Sequence, residues 1–376
     1  MPLFFSHINQ RFGKNKISEK LKVGFMKNTK QKILSALLCI MFILSSTGIR
    51  TGAINKNVQF SSRITELLFG KEEEKEKTLL IGGGIFGAKI KQSYVSVAEA
   101  HSIPKLSAGD IIVSINEREV NSIADVEEVL SDCTGEELKI LAKRGNLTIN
   151  TEANPKQVNG KYKLGIKLKD TASGIGTVTF IDKETETFGG LGHGICDVES
   201  GELVGLSEGK MTGVLLGGIK KGEAGKPGEL CGVLTGKTTG EIYKNSECGV
   251  FGIITDAKLL SGDTMPIGTK SEVTEGEAKI ISTLKNGKSA EYKVEIYDID
   301  QSSDGSKSFR IRVTDETLKA LTGGIIRGMS GSPIIQNGKL IGAVTHVLVA
   351  DPTEGYGIFI ENMLNVANIA RQQKAA

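Results

Sequence analysis

Residues 327–346 read Arg-Gly-Met-Ser-Gly-Ser-Pro-Ile-Ile-Gln-Asn-Gly-Lys-Leu-Ile-Gly-Ala-Val-Thr-His. After Pro333 this is a strand, a two-residue Asn337-Gly338 turn and a second strand, a β-hairpin by its turn chemistry. Before it, Ser330 stands between Gly328 and Gly331, whose freedom of backbone angle permits a sharp turn that exposes a hydroxyl. A nucleophilic serine needs such a turn, with backbone N–H groups converging where an oxyanion will form. The N–H groups of Gly328 and Ser330 are the candidates for that oxyanion hole.

Upstream of the hairpin, short apolar runs are separated by glycines. Examples are Leu164–Lys169, Gly176–Ile181, Val214–Leu216, Cys231–Leu234, Val250–Ile254 and Tyr292–Ile296. No helical pattern of ten residues lies between them, so an antiparallel barrel or sandwich is expected. Glycine is frequent (47 residues), aromatics make up 5% and tryptophan is absent, which fits a mainly β chain. The last element reads as a helix from Glu361 to Gln372.

Four histidines narrow the search for a base. His7 precedes an apolar segment and His101 lies in a polar stretch, while His193 sits in Gly189-Gly190-Leu191-Gly192-His193-Gly194-Ile195. Glycines packed that densely build a tight turn that presents a side chain. His346 follows the serine and is the alternative base. The acid that would orient His193 is open among Asp197, Asp256, Asp263, Asp298, Asp300, Asp304 and Asp315, and Asp315 reads equally well as a helix N-cap. Neither a metal nor an organic cofactor is implied. The remaining cysteines Cys133, Cys196, Cys231 and Cys248 show no metal-binding spacing.

The serine hairpin resembles that of the chymotrypsin-like serine proteases. There the second hairpin strand lines the cleft, so Val344, Thr345 and His346 are expected to flank a bound peptide. In that family's order the base precedes the serine, which favours His193 over His346. Met329 replaces the aspartate that precedes the nucleophile in trypsin, so a zymogen switch through that aspartate is unavailable.

Residues 82–152 resemble a bacterial PDZ domain, a small α+β sandwich. The resemblance is carried by Gly84-Ile85-Phe86-Gly87, by Gly109-Asp110-Ile111-Ile112-Val113-Ser114-Ile115-Asn116 and by Val120. A Ser122–Asp125 capping box then opens a helix. In that family the loop would be the carboxylate-capturing loop, placing Gly84, Ile85, Phe86 and Gly87 at a peptide-binding site. Glu117 stands where the family's turn carries glycine.

The N-terminal region is basic: residues 1–32 carry a net +7, leaving the rest of the chain at −4. A basic tail on a mildly acidic body does not point to nucleic-acid binding, which usually needs a basic face on the folded part. It fits instead the flank of the apolar run Ile33–Leu44, extendable to 49, which reads as a signal or anchor segment with the rest exported. Met26 opens an alternative start. Residues 51–81, with the charge run 71–77, are expected to be a solvated, cleavable linker.

Taken together, the anchor, the PDZ module, the GLGHGI histidine and GMSGSPIIQNGKLIGAVTHVL resemble the SpoIVB-type serine peptidases, family S55, over roughly residues 30–370. The resemblance implies a serine endopeptidase domain over 153–376 and export across the forespore membrane, with anchoring until N-terminal self-cleavage. The PDZ module is expected to bind either the chain's own N-terminal region, favouring self-cleavage, or a terminus of the membrane-bound target. The implied substrate is a membrane-bound inhibitor of an intramembrane protease, whose cleavage releases a late sporulation sigma factor. The family's acid lies 15 residues before the serine, which maps to Asp315. Two other readings are a non-catalytic PDZ scaffold and a quality-control PDZ protease, the latter having the opposite domain order.

Overall fold

The computed structural model describes residues 77–285 and 287–375. The expected anchor at 33–49 and nearly all of the 51–81 linker lie outside the described residues. Among the described residues no helix is long and apolar enough to cross a membrane.

Strand β1 (Thr78–Ile81) leads into β2 (Ile85–Glu99), β3 (Ile111–Ile115), β4 (Arg118–Glu119), helix α1 (Ile123–Ser131), β5 (Leu138–Arg144) and β6 (Leu147–Ala153). A small hairpin, β7 (Lys156–Val158) and β8 (Lys161–Lys163), precedes β9 (Lys167–Asp182) and β10 (Thr187–Gly190). Next come β11 (Leu206–Lys220), β12 (Glu229–Ser246), β13 (Gly249–Ile254) and β14 (Thr264–Pro266). The C-terminal part comprises β15 (Gly276–Lys285), β16 (Lys288–Tyr297), β17 (Phe309–Val313), helix α2 (Glu316–Thr322), β18 (Pro333–Gln336), β19 (Lys339–Val347), β20 (Glu354–Phe359) and helix α3 (Ile360–Ala375).

Two antiparallel six-stranded rings result. In the first, β2 pairs with β9, then β9 with β10, β10 with β13, β13 with β12, β12 with β11, and β11 again with β2. The second is the closed barrel β15-β16-β17-β20-β19-β18. Closure leaves no free edge along the paired stretches, and inward side chains fill each interior. Phe86, Val178, Phe188, Met211 and Val250 fill the first ring, and Ile280, Val294, Phe309, Ile311, Met329 and Ile334 the second. Met363 and Ala367 of α3 join a third cluster with Phe180, Phe251 and Ala343, so the helix seals against strands of both rings.

β2 and β9 are 15 and 16 residues long because each serves two domains. Their inner parts pair within the first barrel, as in Gly87↔Ile175, and their outer parts pair again at Val97↔Leu168. Between those outer parts the chain folds the PDZ module, whose core runs from Val95 to Leu164 and includes Ile112, Val126 and Ile140. Its helix α1 has the expected capping box, with Ser122 Oγ accepting from the Asp125 N–H.

This corrects the expected peptide-binding loop. Ile85, Phe86 and Gly87 are paired residues of β2, and the Gly84 carbonyl accepts the N–H of Val178. Phe86 is fully buried in the barrel. Amides committed to ladders on both sides, to Thr177 and Gly176 and to Thr212, cannot capture a carboxylate. The PDZ core therefore begins later and ends later than the 82–152 expected from sequence.

Candidate active site

The turn after β10 places Leu191 and Gly192 in the left-handed region, at φ +65° and +67°. A side chain on Gly192 would meet the Thr345 methyl at 2.9 Å, so only glycine permits this approach of the two barrels. His193 lines a cleft of about 420 Å³ together with Ser330, Thr345 and His346, its ring against that of His346 with centroids 4.7 Å apart.

The histidine loop is fixed by a residue that sequence reading missed. Buried Asn245, at the end of β12, accepts the Ile195 N–H at 2.9 Å and donates to the carbonyls of Ile195 and Val204. Beyond it Asp197 pairs with Lys169 of β9 at 2.9 Å, and Lys169 also meets Glu199. The loop that carries His193 is thus tied to the strand shared with the PDZ module. Neither contact is visible in sequence, since the partners lie 50 and 28 residues away.

The serine loop is held just as firmly. Thr177 Oγ1 donates to the Gly328 carbonyl and Thr179 Oγ1 to that of Gly331, both at 2.8 Å. Gly331 has φ +94°, and a Cβ there would stand 2.0 Å from the Thr177 carbonyl. The Arg327 carbonyl accepts from Leu230 and the Met329 carbonyl from Ser332. In a planar trans peptide C=O and N–H point opposite ways, so those bonds turn the N–H groups of Gly328 and Ser330 away from these partners. Among the described residues neither N–H meets an acceptor. Met329 is fully buried in the second barrel. The Asn337-Gly338 turn has both residues at positive φ, 51° and 75°, as a type I′ hairpin requires.

The nucleophile and the base are at rest. Ser330 Oγ donates to the Thr345 carbonyl at 2.7 Å. His193 Nδ1 lies 2.9 Å from the Gly194 carbonyl, which can only accept. Nδ1 therefore carries the proton, and Nε2 of the neutral ring is the basic nitrogen. Burial lowers the His193 pKa below its ordinary value, which favours that neutral form.

The expected acid is not at this site. Asp315 caps α2, accepting the N–H groups of Leu318 at 3.0 Å and Lys293 at 3.2 Å. Burial tends to raise its pKa, but these amide bonds outweigh it and hold the carboxyl below the ordinary value. It does not line the cleft. Asp197 serves Lys169, Asp256 serves Lys237 and Asp304 serves Lys270.

Of the three expected cleft residues, Thr345 and His346 line it and Val344 does not. Val344 is fully buried, its N–H donating to Ser332 and its carbonyl accepting from Gly331, so no peptide can pair there. The rest of the lining is apolar: Ile175, Ile326, Pro227, Val347 and Val349 contribute, and Arg327 is the only Lys, Arg, Asp or Glu side chain.

The model of the family described as SpoIVB peptidase S55 matches residues 160–364. No curated protein matches in sequence. Among solved structures the chain is similar to the PDZ domain of an SdrC-like protein from Listeria monocytogenes, at 23% identity over 22% of this chain and 93% of that one, with TM-score 0.20. It is also similar to the HtrA-type protease AlgW, at 12% identity over 52% of this chain and 55% of that one, with TM-score 0.32. A third is the active form of the Rv3671c protease from M. tuberculosis, at 13% identity over 52% and 72%, with TM-score 0.30.

Proposed function

The chain belongs to the SpoIVB peptidase S55 family and is a serine endopeptidase, and from that premise we propose that it is an exported, membrane-tethered signalling protease that trims its own linker. The observation that carries the catalytic part is that His193 and Ser330 line one cleft, with the Gly328 and Ser330 N–H groups meeting no acceptor among the described residues.

The reaction is acyl transfer. Ser330 Oγ leaves the Thr345 carbonyl, gives its proton to His193 Nε2 and bonds to the peptide carbonyl carbon. The Gly328 and Ser330 N–H groups hold the oxyanion. His193 then protonates the departing amine as the C–N bond breaks, and water hydrolyses the acyl-enzyme by the same steps in reverse. The apolar lining favours substrates with aliphatic side chains near the scissile bond, and Arg327 favours an acidic neighbour.

Family membership supports the rest of the reading. The substrate class is a membrane-bound inhibitor of an intramembrane protease, cut in the space between the forespore and mother-cell membranes to release a late sigma factor. The basic and apolar segment before residue 50 supports export and tethering. The PDZ module would receive a peptide terminus, the chain's own N-terminal region being one source. Its link to the His193 loop through Lys169 gives such binding a route to catalysis.

Self-cleavage is tested on the full chain expressed in membranes, with N-termini read by mass spectrometry. Wild type is expected to begin within 51–81 and Ser330→Ala to keep the earlier start. Identical N-termini in both would overturn self-cleavage.

A further inference from the structure

We propose that Arg327 selects a glutamate flanked by aliphatic side chains, and that Ile64-Thr65-Glu66-Leu67-Leu68-Phe69 is the stretch of this chain that the cleft cuts. The inference rests on the reading of Ser330 and His193 as nucleophile and base, and on self-cleavage.

The cleft supplies half of the match. Arg327 is exposed and is the only Lys, Arg, Asp or Glu side chain in the lining. Its backbone is held on both sides, the N–H by the Gly228 carbonyl and the carbonyl by the Leu230 N–H, each at 2.9 Å. Glu229 bridges to that same stretch of backbone, yet its carboxylate pairs with Lys220. Among the described residues no carboxylate pairs with the Arg327 guanidinium. A firmly mounted cation without a partner, set among Ile175, Ile326, Val347 and Val349, suits an acid carried between aliphatic side chains.

The chain supplies the other half. Between Lys20 and Gly70 the sequence holds a single Asp or Glu, which is Glu66. Ile64 stands two residues before it, and Leu67, Leu68 and Phe69 follow directly. The later acids Glu72, Glu73, Glu74 and Glu76 lie among Lys71, Lys75 and Lys77, so they bring no aliphatic neighbour to the cleft.

Reach permits the cut within one molecule. Glu66 lies eleven residues before Lys77, whose ammonium pairs with Asp182 of β9. An extended chain of that length spans up to about 36–40 Å. The strand from Asp182 to Ile175 in the cleft runs about 23 Å.

The step is hydrolysis of one peptide bond within residues 64–70. Ser330 Oγ bonds to the carbonyl carbon, the C–N bond breaks, and the departing amine takes its proton from His193. One water then releases the acyl group as a carboxylate. The basic and apolar stretch before residue 50 leaves with the N-terminal product.

The test uses the full chain expressed in membranes. N-termini are read by mass spectrometry over time, and Ser330 is followed by labelling with a fluorophosphonate probe. Wild type is expected to gain a start between residues 65 and 70. Glu66→Lys, which brings a like charge to Arg327, is expected to slow that cut about tenfold, and Glu66→Gln about threefold. Arg327→Glu is expected to reverse the order, the Glu66→Lys linker then being cut faster than the unaltered one. The readout is a ratio between two linkers in one background, so a general loss of activity in Arg327→Glu does not obscure it. Where Arg327→Glu melts early, Arg327→Gln serves instead and is expected to bring the two linkers within about twofold of each other.

A wild type that labels at Ser330 and is cut only outside 64–70 would overturn the choice of segment. Equal rates for the unaltered and Glu66→Lys linkers, or an undiminished preference for glutamate in both Arg327 variants, would overturn the role of Arg327. Labelling without any trimming counts against self-cleavage and this segment, and leaves the nucleophile standing. A wild type that neither labels nor trims removes the nucleophile and this inference together.

Discussion

Thr177→Val isolates the contact that shapes the oxyanion hole. The threonine is fully buried and its Oγ1 donates to the Gly328 carbonyl at 2.8 Å. Valine keeps the volume and branching but leaves that carbonyl without a side-chain donor. Stranding a buried acceptor costs about 1–3 kcal/mol. For a body of some 300 residues this corresponds to a melting point lower by about 2–9 °C, taking roughly 2–3 °C per kcal/mol. The released peptide, Gly328–Met329, joins the two peptides whose N–H groups are the oxyanion donors, so the fraction in which it swings free misplaces a donor, a defect of about 10²–10³ in rate. Losing a contact worth about 1.4 kcal/mol lowers the ratio of placed to displaced loop about tenfold, so labelling falls by up to that factor. Thr179→Val is the matched comparison, since its hydroxyl meets the Gly331 carbonyl and not that of Gly328. It is expected to lower the melting point similarly with a smaller loss of labelling. A Thr177→Val protein that melts early yet labels within twofold of wild type would refute the claim that this bond places the donor.

Other consequences follow from the same contacts. Asn245→Leu removes three buried hydrogen bonds to the loop after His193; stability is expected to fall by about 2–4 kcal/mol in urea titration, with slower labelling. Lys169→Met strips the buried Asp197 of its cation while that carboxylate keeps its bonds from Glu199 and Ser200. A loss of about 1–3 kcal/mol is expected, together with labelling reduced several-fold through the loosened histidine loop. The fold keeps His346 neutral down to about pH 4, whereas the unfolded chain takes its proton near pH 6.5. Stability from this group is therefore full above about pH 6.5 and declines as pH falls towards 4. The melting point of wild type is expected to drop more between pH 7 and 5 than that of His346→Leu. His193, also depressed, is expected to put the rising limb of labelling below pH 6.5.

What the sequence disclosed was local. The Asn337-Gly338 hairpin, the Ser122 capping box and the glycine turn at His193 each announce themselves within a few residues, because turn chemistry is set by backbone angles. What it concealed depends on partners far along the chain. Gly84-Ile85-Phe86-Gly87 reads as a glycine loop entering a strand, yet its conformation is decided by Thr177 and Thr212, which make it barrel wall. No change of composition marks the PDZ boundary, because β2 and β9 pass from one domain to the other without a break. Asp315 precedes an apolar helix by the spacing of an N-cap and also sits where the family's acid is expected. The amides of Leu318 and Lys293 decide for the cap. Val344 and His346 lie two apart on one strand and differ in fate because Ser332 and Gly331 close over the first.

The central claim is that Ser330 and His193 form a nucleophile and base across the cleft. Reaction of the full chain with a fluorophosphonate, followed by digestion and mass spectrometry, tests it most directly. The predicted result is a single adduct on Ser330, lost in Ser330→Ala and slowed by about 10³-fold or more in His193→Ala. An adduct on another serine, or labelling of Ser330 at an undiminished rate in folded His193→Ala, would contradict it.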